Sequence, residues 1–593
     1  MTERDENHNN TTLYGIGVSA GVVSGPVHLL HTEVEKIPKR KISEKDVPSE
    51  IDRLETALTK TREQLHNIQE ELSQVLDTKS ASIFDAHMLV VDDRSFIEEI
   101  IEGVKREHKN VEWVLQKVCD NYAKALSKIE DDYLRERTSD VKDVTRRILR
   151  NLSGNLLNSI ANLTEPCIVV AHDIPPSETA LMNKDIVTGF ATDIGSPSSH
   201  TAIMARALEI PAVVGLTDAS TRIADGDHIL LDGQQGILII HPTEEELERY
   251  GSLAEKQSQI RTKLEKFKER RAETKDGRRI VLSANIEMPK DVANAKKYGS
   301  NGVGLFRTEF LYLSGHGLPD EDEQSAVYTK TAKELHPAPL IIRTIDIGGD
   351  KFISKYNTAP EINPFLGWRG IRFCLAQEDI FLKQLRSILR ASIYDNVKIM
   401  YPMVSNAQEV VQANEMLETA KSQLRENSVE FNDNIEVGAM IEVPSAAITA
   451  DLIAPYVDFF SIGTNDLVQY TMAVDRVNEK VSHLYEPTHP AILKLIKSTT
   501  DAKKRKPGLW IGICGEMAGN PLWTPLLLGL GIDEISANPT SIPEIKDVIC
   551  NLNMEEATEI ADKALQCSSA SEVDELCYEL VQKITPEIAK LIV

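Results

Sequence analysis

The sequence predicts a multidomain α/β protein: a small α/β domain interrupted by a helical bundle, a linker helix, and a C-terminal (β/α)8 barrel. Three observations carry that prediction. Gly-containing, β-rich runs lie on both sides of a long amphipathic helical stretch, a highly charged segment follows, and beyond it eight apolar runs each precede a helical pattern. With 593 residues, the chain is long enough for several separate cores.

Leu13 to Leu30 is rich in Gly and β-branched residues and reads as strands joined by tight bends. It contains Gly15-x-Gly17 but lacks the rest of a dinucleotide fingerprint, and no helix follows at once. From Ser43 to about Ser153 the pattern is helical, with Ile51, Leu54, Leu58, Leu65, Ile68, Leu72 and Val75 on a near-heptad seam. The seam breaks at Asp77-Thr-Lys-Ser, and amphipathic segments follow at 81–91, 96–105, 111–129 and 140–152. That succession favours a compact bundle over a coiled-coil dimer.

The strand signature returns at Cys167 and alternates with short helical patterns up to Pro242. We therefore assign residues 1–35 and 156–242 to one discontinuous domain, with residues 36–155 inserted as the helical bundle. Residues 243–275 are charged with a thin apolar stripe, which suits a solvated linker helix. In residues 276–593 the strand-like runs are Arg279 to Ile286, Gly302 to Phe306, Leu340 to Ile347, Val397 to Met403, Val437 to Ile441, Asp458 to Gly463, Leu509 to Cys514 and Glu534 to Ala537. Eight strand-then-helix units predict the barrel, and a barrel predicts that chemistry sits at the C-terminal ends of its strands.

Bulk properties narrow the function classes. A formal charge of −25 argues against nucleic-acid binding and suits a basic protein partner. Seven cysteines run from Cys119 to Cys577 with no C-x-x-C pair, so neither a disulfide framework nor a zinc knuckle is indicated. The polar N-terminus has no apolar h-region and no run reaches the length of a membrane span, so the expected location is the cytoplasm.

Two sets of residues carry candidate chemistry. In Gly195-Ser-Pro-Ser-Ser-His-Thr-Ala-Ile-Met-Ala-Arg, His200 falls in the first turn of a predicted helix capped by Ser198 or Ser199. Unpaired backbone N–H groups and the helix dipole there favour a neutral imidazole and any anion attached to it. The plainer alternative is a polar first-turn residue. At the ends of the barrel runs stand Arg307, Arg343, Glu442, Asn465, Asp466 and Cys514, with Arg476 after the sixth run. Each charge alone could close the barrel rim as a salt bridge. Together, three arginines and two carboxylates suit a Mg²⁺ ion and a small phosphorylated anion. Cys514, among those cations, is a candidate proton donor or nucleophile, or else a small core residue.

The blocks SSHTAIMARALEIPAVVG, GLFRTEFLY, IRTIDIGGDK, NPFLGWRGIR, DFFSIGTNDLVQYTMAVDR and GICGEMAG stand in one order. In this the chain resembles, over nearly its whole length, the enzyme I family of the bacterial phosphoenolpyruvate:sugar phosphotransferase system. The resemblance implies a phosphohistidine domain carrying an inserted subdomain that binds the carrier protein HPr, and a C-terminal TIM barrel that binds phosphoenolpyruvate and forms a homodimer. It implies His200 as the phosphorylated nucleophile, and Arg307, Arg343 and Arg476 as holders of the phosphate, with Asn465 assisting. It further implies Glu442 and Asp466 as Mg²⁺ ligands, Cys514 as the acid that protonates the enolate, and Thr179 as a possible hydrogen-bond partner of the active histidine. Thr179 reads equally well as a plain first-turn residue. The family usually has G-G-R-T-S-H, whereas Pro197 stands here at the arginine position, so one supporting cation is missing. Around Ser80 to His87 the Ile-Phe-acidic-x-His pattern is kept with fewer acidic residues before it. A related dikinase or synthase would need an upstream nucleotide-binding domain, and no Walker motif precedes His200.

Overall fold

The computed structural model describes residues 11–30, 37–73, 87–126, 132–153, 160, 163–179, 181–195, 199–208, 210–251, 267–313, 318–347, 363–476, 478 and 480–592. The chain divides into two compact units, Met1–Lys256 and Gln257–Val593. Pro197, Ser80 to Ala86 and residues 252–266 of the predicted linker helix lie outside the described residues.

The first unit is built on an eight-stranded sheet. Its strands are β1 (Thr11–Tyr14), β2 (Ile16–Ser19), β3 (Val22–Leu30), β4 (Cys167–Ala171), β5 (Val187–Thr192), β6 (Ala212–Val214), β7 (His228–Asp232) and β8 (Ile237–Ile240), in the order β1-β8-β7-β3-β4-β5-β6-β2. β3 and β4 are parallel neighbours, with Val27 opposite Ile168 and Leu30 opposite Ala171. The crossover between these adjacent strands is the helical insertion. It contains α1 (Val47–Ser73), α2 (Arg94–Glu107), α3 (Val111–Leu126) and α4 (Asp132–Ser153). Leu54, Leu58, Leu65 and Ile68 of the seam are buried inside this bundle against Phe96, Ile100, Leu115, Val144 and Ile148. An internal core thus uses the apolar stripe that a coiled coil would have used.

Short helices connect the later strands, among them α5 (Pro176–Thr179) between β4 and β5 and α6 (His200–Leu208) between β5 and β6. α4 grips α5 through polar contacts. Asp143 accepts from Ser177 Oγ at 2.8 Å, Arg147 Nη2 donates to the Ser177 carbonyl at 3.2 Å, and Arg150 pairs with Glu178.

The second unit is a closed barrel of eight parallel strands: β9 (Val281–Ile286), β10 (Val303–Phe306), β11 (Leu340–Arg343), β12 (Val397–Tyr401), β13 (Val437–Ile441), β14 (Phe459–Gly463), β15 (Trp510–Cys514) and β16 (Glu534–Ala537). β16 pairs with β9 to close the ring. Leu305, Ile341, Met400, Met440, Phe459 and Cys514 pack together as a cluster of their own, as in the filled interior of such barrels.

Two predicted barrel strands and the predicted linker helix differ from the structure. The apolar runs Leu340 to Ile347 and Val397 to Met403 leave the sheet at Arg343 and Tyr401; the second departs because Met403 takes φ 57°, from which its N–H reaches Glu442. The linker segment is helical at 244–251, with Thr243 and Glu246 forming a reciprocal cap, but its last residues enter a turn instead. Asp276 and Gly277 at φ 86° reverse the chain there, and Ile280 N–H returns to the Ala272 carbonyl at 3.0 Å. Asp-Gly is a strong reversal signal that overrides helical patterning on its flank.

Candidate active site

In the first unit, His200 is the first residue of α6. Ser199 caps the helix, its Oγ accepting from Ala202 N–H at 3.3 Å, which is the N-cap geometry expected of a serine before the first turn. Thr201 Oγ donates to the Ile174 carbonyl at 3.0 Å and so ties the first turn of α6 to the segment entering α5. Thr179 is fully buried and donates its own hydroxyl to the Pro175 carbonyl at 3.1 Å. Its donor is thus used within its own turn.

In the second unit, the charged residues gather where the strands end. Arg343, the last residue of β11, donates Nη2 to Glu309 at 2.8 Å and lies 3.1 Å through Nη1 from Asp346. Its Nε is buried and has no partner among the described residues. Such an orphan donor is the feature expected of a residue awaiting an anion. Asp346 in turn is gripped in bidentate fashion by Arg369, at 3.2 Å to Nε and 2.9 Å to Nη2, and the same guanidinium reaches Asp466 at 3.0 Å. Arg307 pairs with Glu287, and Arg476 with Glu516 at 2.7 Å. Asn465 Oδ1 accepts from Glu516 N–H at 2.8 Å, fastening α7 (Thr464–Met472) to the short helix Glu516–Gly519 that follows Cys514.

Glu442 follows β13 and accepts from Met403 N–H at 2.6 Å. Gly463 is needed beside it, since a Cβ there would lie 2.6 Å from Glu442 Oε2. Asp346, Glu442 and Asp466 each present one carboxylate oxygen, all within 4.8 Å of one another. This is a hard, oxygen-only donor set of the kind that holds a divalent cation such as Mg²⁺. Its electrostatics point the same way. Burial and then the carboxylates of Asp466 and Asp346 push Glu442 well above the usual carboxylate range, and Arg343 and Arg369 offset only part of this. Burial would lower Arg369, but Asp346 and Asp466 outweigh it and hold the guanidinium above its ordinary value.

Cys514 ends β15 inside the barrel, 2% exposed, and burial pushes its thiol up to about 11. It therefore carries its proton throughout the neutral range, as a proton donor must.

The structure thus brings Arg343, Glu442, Asn465, Asp466 and Cys514 into one region at the carboxyl ends of the strands, with Arg307 and Arg476 on the same rim. His200 and Thr179 belong to the other unit. Sequence reasoning assigned no role to Asp346 or Arg369, although both lie in the quoted blocks; a charge inside IRTIDIGG and another inside NPFLGWRG were the available signals.

A parallel barrel with cationic and carboxylate groups at its strand ends, in one chain with a separate α/β unit, is compatible with a phosphoenolpyruvate-utilising enzyme. The family models agree: the N-terminal domain of such enzymes matches residues 14–137, their mobile domain residues 163–236, and their phosphoenolpyruvate-binding domain residues 261–554. A Listeria innocua protein named phosphoenolpyruvate-protein phosphotransferase is 43% identical over 97% of this chain and 99% of its own length. Proteins of that name from Geobacillus stearothermophilus and Haemophilus influenzae are 42% and 40% identical, covering 95% and 96% of this chain and 97% and 98% of theirs. The chain belongs to the phosphoenolpyruvate-protein phosphotransferase family. It is an enzyme that transfers phosphoryl groups from phosphoenolpyruvate to protein.

Proposed function

We propose that the phosphoryl group passes from phosphoenolpyruvate to His200 and then to a histidine of the carrier protein HPr, as the first step of phosphotransferase-dependent sugar uptake in the cytoplasm. The observation that carries this reading is the arginine and carboxylate array at the barrel mouth, with a protonated thiol in the wall beneath it. Arg307, Arg343 and Arg476 bind the phosphate, with Asn465 assisting, and the orphan Nε of Arg343 supplies a donor without a partner among the described residues. Glu442 and Asp466, joined by Asp346, would hold Mg²⁺. The bound ion would offset the phosphate charge and the charge that builds on the enolate oxygen.

The neutral imidazole of His200 attacks phosphorus; an N–P bond forms as the bond from phosphorus to the enol oxygen breaks. Cys514 then gives its thiol proton to the methylene carbon, forming the methyl group of pyruvate, and water returns a proton to sulfur. Histidine and barrel belong to separate units, so the reading requires the phosphohistidine domain, residues 1–35 and 156–242, to move between the barrel and the HPr site, turning about segments near Pro242 and Lys275. The chain's negative balance suits a basic HPr, and a homodimer formed through the barrel unit completes the reading. Incubating His200→Gln with labelled phosphoenolpyruvate, Mg²⁺ and HPr gives no label on either protein; label on HPr contradicts the assignment.

A further inference from the structure

Cys514 is packed in a small, largely apolar cluster inside the barrel. Ser461, on β14, is 3% exposed and directs its hydroxyl at the Cys514 sulfur, 3.7 Å away. The two residues sit diagonally on neighbouring strands, Ser461 opposite Gly512 and Cys514 opposite Gly463. The Cys514 sulfur also lies 3.6 Å from the Ile462 carbonyl, the acceptor for its S–H. Around the pair stand Leu305, Ile341, Met400, Met440 and Phe459.

A hydroxyl spent on thiol sulfur is poorly repaid as structure, because neutral sulfur is a weak acceptor and burial strips the hydroxyl of water. The balance changes once the sulfur loses its proton. The same O–H then points at a thiolate, and a hydrogen bond to an ionised acceptor is roughly twice as strong as a neutral one. An interaction that is weak before proton transfer and strong after it lowers the barrier, whereas one equally strong in both states would not. The Ser461 hydrogen bond also opposes the upward push of burial on the thiol.

We propose that Ser461 is a positioning residue for the proton-transfer step: it orients the Cys514 sulfur and stabilises the thiolate left when the proton moves to the enolate carbon. In that step the S–H bond breaks, a C–H bond forms at the methylene carbon, the enolate becomes the ketone of pyruvate, and the charge rests on sulfur facing the Ser461 hydroxyl. The proposal rests on the reading of Cys514 as the acid.

The test is a single turnover of the full-length enzyme with labelled phosphoenolpyruvate and Mg²⁺, following label on protein and keto pyruvate separately. In the wild type the two rise together. In Ser461→Ala the label should rise at the wild-type rate, with unchanged KM for phosphoenolpyruvate, while pyruvate lags by about tenfold, the loss expected of one hydrogen bond to a charged atom. Ser461→Thr, which keeps the hydroxyl, should remove the lag. Coincident wild-type rates in Ser461→Ala, or a common slowing of both signals with a raised KM, overturn the proposal. Cys514→Ala is run in parallel: absence of a lag there overturns the reading of Cys514 itself, whereas a lag in Cys514→Ala but not in Ser461→Ala overturns only the role of Ser461.

Discussion

Arg369 shows how much of the candidate site is held by a side chain that was assigned no role from sequence. Its guanidinium joins Asp346 and Asp466, the two carboxylates clustered with Glu442, and is itself 9% exposed. Removing one partner of a buried ion pair leaves the other charge uncompensated, typically at 3–5 kcal/mol. Arg369→Ala should therefore destabilise the metal-free enzyme by about 3 kcal/mol, and saturating Mg²⁺ should recover part of that loss; denaturant unfolding with and without Mg²⁺ reads both. Glu442 gives a second prediction, with a sign. Its folded-state value lies above the ordinary 4.5, so the folded chain keeps a proton that the unfolded chain releases as pH rises past that value. Metal-free stability should thus fall as pH climbs from about 4.5 towards neutrality, and Glu442→Gln should flatten that fall in a series of melting curves. Glu442 and Asp466 were legible because each stands at or just after the end of an apolar run. Arg369 and Asp346 were not, because loops carry them, and a loop's route to its partner depends on tertiary packing that no periodicity encodes.

At the scale of elements, the barrel strands announce themselves because parallel strands buried on both faces read as continuous apolar runs. Their ends are less legible. The apolar run of β12 continues to Met403, where a left-handed backbone turns an N–H towards Glu442, and the linker pattern continues to Lys275, into the turn at Asp276-Gly277. The strand ends also carry constraints of their own. β14 must finish in glycine so that the Glu442 carboxylate can lie against it, and Gly463→Ala should weaken Mg²⁺ binding about tenfold or more, measured by calorimetric titration. In the first unit, α4 fastens α5, against which α6 is tied by Thr201. Asp143→Ala leaves the buried Ser177 N–H and hydroxyl without their acceptor, a loss of about 2 kcal/mol. It should lower a melting transition of the full chain and slow phosphate delivery to HPr while leaving the KM for phosphoenolpyruvate unchanged.

At the scale of the whole molecule, each unit has its own cores and its own share of the chemistry. The first carries a histidine at a capped helix start, and the second the arginines, carboxylates and thiol that suit phosphoenolpyruvate. A β-rich stretch interrupted by helices, a charged segment, and eight strand-and-helix repeats have different periodicities, and periodicity survives in sequence where side-chain contacts do not. Separation also makes the central claim easy to expose, since a phosphoryl group bound by one unit must be found covalently on the other. The most direct test is to phosphorylate the full chain with labelled phosphoenolpyruvate and Mg²⁺, digest it under alkaline conditions and sequence the labelled peptide. An acid-labile label on the peptide containing His200, absent from His200→Gln, is the predicted result; an acid-stable label, or one that survives in His200→Gln, would contradict it.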